Sequence, residues 1–181
     1  MIPSKAECLR LLEKHKVPEH IKEHILQVTR IAIFLGERIS KKGQSINLPL
    51  LEVASLLHDL DKHLSFEEVQ NHGHITAKTL KELDYEELVP LIIRHRMTAI
   101  NSPGLDTLEE KILYYADMRV NHDRIVSLRE RIDYIKERYG TRSPEAMQKI
   151  CSAEPLVLKI EKEILKKAGV SERLEGLRIG K

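Results

Sequence analysis

Residues 48–62 read LPLLEVASLLHDLDK, and this stretch decides the fold. Asn47 before it and Pro49 inside it are a helix start, because an Asn side chain caps free backbone amides and proline is tolerated in the first turn. The ten residues that follow Asn47 are apolar almost all round, as in a helix buried within other helices. Leu51, Ala54 and His58 are spaced by three and four, so His58 lies on the inward face. Asp59 then stands at the C-terminal end of the helix, where the macrodipole disfavours an anion, and Asp61 follows two residues later. Lys62 neutralises part of this charge; a bound divalent cation would do so better.

The same pattern recurs on both sides. His24, Val28, Ile31 and Leu35 form one helical stripe, as do Leu88, Leu91, Ile92 and His95, and Leu113, Asp117 and Val120. Four residues able to bind a metal thus fall on buried stripes of four helices, and an unpaired buried carboxylate such as Asp117 is very costly. Helix signals fill the chain. Ser4 with Glu7 caps a first helix to about Lys14, and Pro18 opens a second that Gly43 ends. Ser65 and Glu68 cap a short SFEE helix. A helix runs through His74 to Leu83, and Asp84 with Glu87 is expected to cap the one ending near His95. AINSPGLD (99–106) reads as a loop, and Asp106 or Thr107 starts the helix carrying Asp117. Another covers IVSLRERIDYIKERYG, Ser143 and Pro144 begin the next, and Pro155 begins a last one to about Ala168. The expectation is an all-α, irregular single-domain bundle of roughly eight helices spanning 1–181, with a core at about 20–125, C-terminal helices at about 122–168 and a loose polar tail at 169–181.

Composition removes several function classes. The 181 residues carry 30 basic and 28 acidic side chains, a net +2 that favours neither a nucleic-acid nor a membrane partner. No run approaches the ~18 apolar residues of a membrane span. The N-terminus lacks a signal-peptide hydrophobic run, and two cysteines, Cys8 and Cys151, form no framework, so a cytoplasmic location is expected. Eight scattered glycines make no phosphate loop, and there is no GxSxG. Nine histidines stand out. In HIKEH (20–24), His20 and His24 have zincin spacing, but Ile21 stands where that chemistry needs Glu. His15, His20, His63 and His122 read as surface residues. LRERIDYIKER reads as a packed amphipathic helix. Ile150, Leu156, Val157, Ile160 and Ile164 read as core or as a seam between two copies in a homodimer.

His24, the pair in LLHDLDK (His58, Asp59) and the Asp of YYADMR (Asp117) resemble the ordered H…HD…D signature of the HD-domain metal-dependent phosphohydrolases, over about residues 20–125. The resemblance implies His24, His58, Asp59 and Asp117 as ligands of one divalent ion. Some branches hold a second ion through the same Asp and two further histidines. HGHITAKTL offers His72, with His74 as the alternative, and IIRHRM offers His95. Thr76 stands where that motif has Gly or Ala, and Asp61 replaces the small residue of the usual HD-x-G-K.

One or two ions per chain are therefore expected, with Fe, Mn, Zn, Co and Ni all suited to a mixed His/Asp set. The implied catalytic residues are Asp59, Lys62 and His95, and the implied phosphate-binding residues are Lys62, Arg94, Arg96 and Arg119. Tyr114, Tyr115 and Phe66 are the aromatic residues available to face a base. The expected substrate is a phosphorylated small molecule, a nucleotide first, cleaved at a phosphodiester or anhydride by metal-activated water. In motif the chain is most similar to the bacterial hydrolases that cut diadenosine tetraphosphate symmetrically. A mononuclear HD 5′-nucleotidase is the alternative enzyme, and a non-catalytic metal or nucleotide sensor the alternative of another class.

Overall fold

A computed structural model describes residues 1–64, 73–101 and 104–177. The expected SFEE helix, Phe66 and His72 lie outside the described residues. Eight α-helices are present among those described: α1 Lys5–Lys14, α2 Glu19–Lys41, α3 Leu48–Leu57, α4 His74–Glu82, α5 Val89–Arg94, α6 Leu108–Asp117, α7 Leu128–Tyr139 and α8 Pro144–Ala168. The fold is all-α. Among the described residues no helix is long and apolar enough to cross a membrane.

Local chemistry sets the helix starts. Ser4–Glu7, Thr107–Glu110 and Ser127–Glu130 are complete capping boxes, and Asn47 accepts from the Leu50 amide; each cap contributes about 1 kcal/mol. The second of these fixes the helix that carries Asp117.

The 23-residue α2 is the spine, lying against α3, α6 and α8. Its buried face contains His24, Ile25, Val28, Ile31, Leu35 and Ile39. At Gly36 a Cβ would come within 2.9 Å of Leu48 and Leu51, so glycine is what lets α2 and α3 approach. The all-round apolar α3 is inside as its pattern requires, with Leu51, Val53, Ala54, Leu56 and Leu57 buried. One cluster of buried apolar side chains extends from Cys8 to Leu174.

Four local expectations need correction. Asp84 does not cap the next helix. It takes a left-handed backbone (φ +59°), which Asp tolerates, and closes the end of α4, after which a 3₁₀ turn at Glu86–Leu88 leads into α5. The expected loop at 99–106 begins inside a 3₁₀ helix, Met97–Asn101, which packs on α8 and buries Ala99 and Ile100.

Pro155 starts no new helix; it lies within the continuous α8. Both Pro155 and Cys151, whose carbonyl loses its helical partner, are exposed, so the lost bond lies on the solvent side of the helix. Meanwhile Ile150, Ala153, Val157, Ile160, Ile164 and Ala168 keep one buried stripe through the break. The tail, as far as it is described, is docked: Leu174 is buried, and the Glu172 carbonyl accepts from Arg119.

Between α6 and α7 the chain makes a hairpin of two two-residue strands, β1 Val120–Asn121 and β2 Arg124–Ile125, pairing Val120 with Ile125 and Asn121 with Arg124. Strands this short have no alternating pattern to read.

Candidate metal centre

Side chains from α2, the end of α3, the end of α5 and the end of α6 meet in the interior. His24 Nε2 lies 3.0 Å from Asp117 Oδ1 and 3.3 Å from Asp59 Oδ2. His58 Nε2 lies 3.5 Å from Asp59 Oδ2 and 3.9 Å from Asp117 Oδ1. His24, His58 and Asp59 each offer a ligand atom within 4.8 Å of the others, and all three are buried. His95 joins them, its ring centre 5.2 Å from that of His58 and its Nε2 3.7 Å from Asp59 Oδ1. Asp59 therefore presents one oxygen to His24 and His58 and the other to His95. Lys62, one turn on, reaches back to Asp59 Oδ2.

The backbone sets the protonation of all three rings. His24 Nδ1 is 2.8 Å from the His122 carbonyl, His58 Nδ1 2.7 Å from that of Ser55, and His95 Nδ1 2.5 Å from that of Ile92. A carbonyl only accepts, so each Nδ1 carries a proton, and whenever the ring is neutral its lone pair is at Nε2. At His24 a charged ring also donates from Nε2 to Asp117 Oδ1 at 3.0 Å; the neutral His58 ring has no such bond, and its lone pair meets carboxylate oxygens unless a cation lies between them. His58 Nε2 is fully buried and has no hydrogen-bond partner among the described residues. A fixed tautomer, an orphaned buried acceptor and two carboxylates are the donor set a divalent ion fits, with His24, His58, Asp59 and Asp117 as the residues that would hold it.

The electrostatics agree. Burial pushes the His58 pKa down to about 4, outweighing the pull of Asp59, so the ring stays neutral at pH 7 and supplies no proton of its own. Burial alone would raise the Asp117 pKa. The hydrogen bond and charge of His24, with His58 and Arg131, overcome that and hold the carboxyl well below the usual range. For Lys62 burial works against the ammonium, but the charges of Asp59 and Asp117 win and raise its pKa.

Other sequence candidates have other partners. Arg94 pairs with Asp106 at 2.5 Å and Glu110 at 3.1 Å, holding the loop before α6. Arg119 is buried and bonds the Val126 carbonyl, the Tyr115 hydroxyl and the Glu172 carbonyl. Neither guanidinium is brought to the cluster. Arg96 is half-buried, and His74 is exposed on the first turn of α4. Tyr114 and Tyr115 are fully buried with hydroxyls bonded to Met97 O and Glu161, so neither faces a ligand base.

Asp61 is buried with its carboxylate on the amides of Gly73 and Thr76, where it caps α4. The departure from the usual motif thus anchors the helix after the HD pair. Gly73 takes φ +86° to present its amide there.

Sequence reasoning missed the surroundings of His24. The His122 carbonyl, aimed by that residue's left-handed φ of +56°, fixes the ring, and no side-chain pattern announces a backbone acceptor. Arg131, on α7, was hidden in a helix of mixed charge; its position beside the buried stripe Leu128–Ile132 was the available signal.

Comparison with known proteins follows the same residues. The chain is 29% identical over 144 residues to an uncharacterized protein of Methanocaldococcus jannaschii, covering 72% of this chain and 84% of that one. It is 27% identical over 145 residues to a tRNA (cytidine(56)-2′-O)-methyltransferase of Picrophilus torridus, covering 73% of this chain but 40% of the methyltransferase. No solved structure gives a significant match. A family model described as HD domain matches residues 21–133, the stretch that carries His24, His58, Asp59, His95 and Asp117, and the chain belongs to the HD-domain family.

Proposed function

We propose that this chain is a metal-dependent phosphohydrolase acting on a phosphorylated small molecule, a nucleotide first, at a phosphodiester or anhydride bond. The observation that carries the reading is Asp59, buried with His24, His58 and His95 each within 3.7 Å of its carboxylate, a set of residues that would hold one divalent ion or two. A divalent ion so held supplies Lewis acidity, withdrawing charge from a phosphoryl oxygen and acidifying water. The chain's own residues do the rest. Three backbone carbonyls keep the rings in the ligating tautomer. Asp117, with its depressed pKa, stays ionised as a ligand. Lys62, about one-third exposed, keeps its charge beside Asp59, where it offsets the negative charge that accumulates on phosphate oxygens during bond cleavage. Water adds to phosphorus as the ester or anhydride oxygen leaves with a proton, so no Ser or Cys nucleophile is required.

Metal analysis of the purified protein, with p-nitrophenyl phosphate, bis-p-nitrophenyl phosphate and a nucleotide panel as substrates, tests this. Two ions per chain and diester or dinucleotide cleavage are expected. One ion with monoester cleavage alone would replace this reading with the 5′-nucleotidase. Metal without turnover on any substrate would replace it with a sensor. The likeness to part of a tRNA-modifying enzyme supports including RNA ends in the panel.

A further inference from the structure

The hairpin and α7 form a wall beside the cluster. The His122 carbonyl in the hairpin turn holds His24 Nδ1 at 2.8 Å, and the preceding residue, Asn121, accepts from Arg131 Nη1 at 3.0 Å. The Arg131 guanidinium lies 5.6 Å from the centre of the Tyr134 ring. That ring packs edge-on against His122, with its hydroxyl 3.3 Å from His122 Nε2. Arg131 is thus two contacts from a metal-ligating ring.

Its own bonding is incomplete. Nε is buried with no hydrogen-bond partner among the described residues, and no described carboxylate lies within 4 Å of the guanidinium. Arg94 has two carboxylates and Arg119 has three oxygens, one for each nitrogen. A half-buried guanidinium with one anchored arm and no described carboxylate beside it suits an anionic ligand. The charge of Arg131 also acts on both Asp117 and Lys62.

The geometry points to Arg131 as a binding residue for a phosphoryl group of the substrate, aimed by Asn121 and backed by Tyr134. This rests on the phosphohydrolase reading above. Lys62 and Arg131 would approach the phosphate from different elements, Lys62 as a point charge and Arg131 as a fork.

The test uses the metal-loaded protein and inorganic phosphate, by calorimetry and as an inhibitor of turnover, with Arg131→Gln, Arg131→Lys and Asn121→Ala. Losing charge-assisted hydrogen bonds worth roughly 1.5–3 kcal/mol predicts that Arg131→Gln weakens phosphate binding and raises KM by about 10- to 100-fold, with kcat changed far less. Arg131→Lys is expected to recover part of this and Asn121→Ala to lose less than Arg131→Gln, all three keeping wild-type metal content. Phosphate affinity and KM within twofold of wild type in Arg131→Gln would overturn the assignment. So would loss of metal in Arg131→Lys, which would make the residue structural, or a wild-type protein that binds no phosphate. If wild type binds phosphate but hydrolyses nothing, the hydrolase reading fails while the affinity series still judges Arg131.

Discussion

Two buried polar clusters grow from the C-terminal end of α6, two residues apart, and they are built in opposite ways. Around Arg119 every nitrogen has an acceptor: the guanidinium bonds two carbonyls and the Tyr115 hydroxyl, and that hydroxyl donates to Glu161. Around Asp117 the network is incomplete: three imidazoles and two carboxylates converge, and His58 Nε2 has no described hydrogen-bond partner. A closed network stabilises and needs nothing further. An open one is costly unless something from outside completes it. The contrast separates a structural polar cluster from a ligand site without reference to any relative.

The largest effect should come from the open cluster. Asp59→Asn removes the carboxylate shared by both sides and is expected to abolish metal retention and lower turnover by roughly 10³-fold, with the helical fold kept; metal analysis, activity and circular dichroism check it. Near-normal activity in this variant would break the comparison.

Arg119→Met should show the reverse. The Val126 and Glu172 carbonyls and the Tyr115 hydroxyl each lose a donor, the hydroxyl keeping its bond to Glu161, and the loss is expected to cost about 2–3 kcal/mol of stability, read from urea midpoints, while metal content per folded chain stays unchanged.

The metal-free protein gives a pH signature of the open cluster. The unfolded chain takes a proton on His58 near pH 6.5, whereas burial keeps the folded ring neutral down to about 4. Between these values the unfolded state binds more protons, so stability falls as pH drops through this window, by about 3 kcal/mol in all, and is flat above it. Urea melts of chelated wild type and His58→Asn at pH 7.5, 5.5 and 4.5 should diverge by that amount; parallel curves would mean that the ring is not held neutral by burial.

Tyr115→Phe should have the smallest effect. It leaves one Arg119 donor and Glu161 unbonded, and about 1–2 kcal/mol of destabilisation is expected, with activity intact.

Much of this was legible in the chain. The i, i+3, i+4 stripes directed His24, His58, His95 and Asp117 inward, because a helix has one period and a buried face admits few polar residues. Caps at Ser4, Asn47 and Thr107 marked real helix starts, since a cap is a bond within four residues. Pro155 misled because its local penalty is outweighed by the apolar stripe of α8. The partners of Arg94 and Arg119 were not legible, because adjacency to a ligand in sequence says nothing about where a long flexible side chain finds its acceptors.

By itself, then, the sequence determined the helical class, the helix faces and the identity of the inward histidines and aspartates, all consequences of short-range periodicity. Only the tertiary structure decided that one Asp59 carboxylate meets three histidines, that the His122 carbonyl holds His24, and that Arg131, remote in sequence from the HD pair, stands beside the cluster. Those facts depend on hydrogen bonds between residues up to about a hundred positions apart, and no local pattern encodes a contact whose partners are chosen by packing.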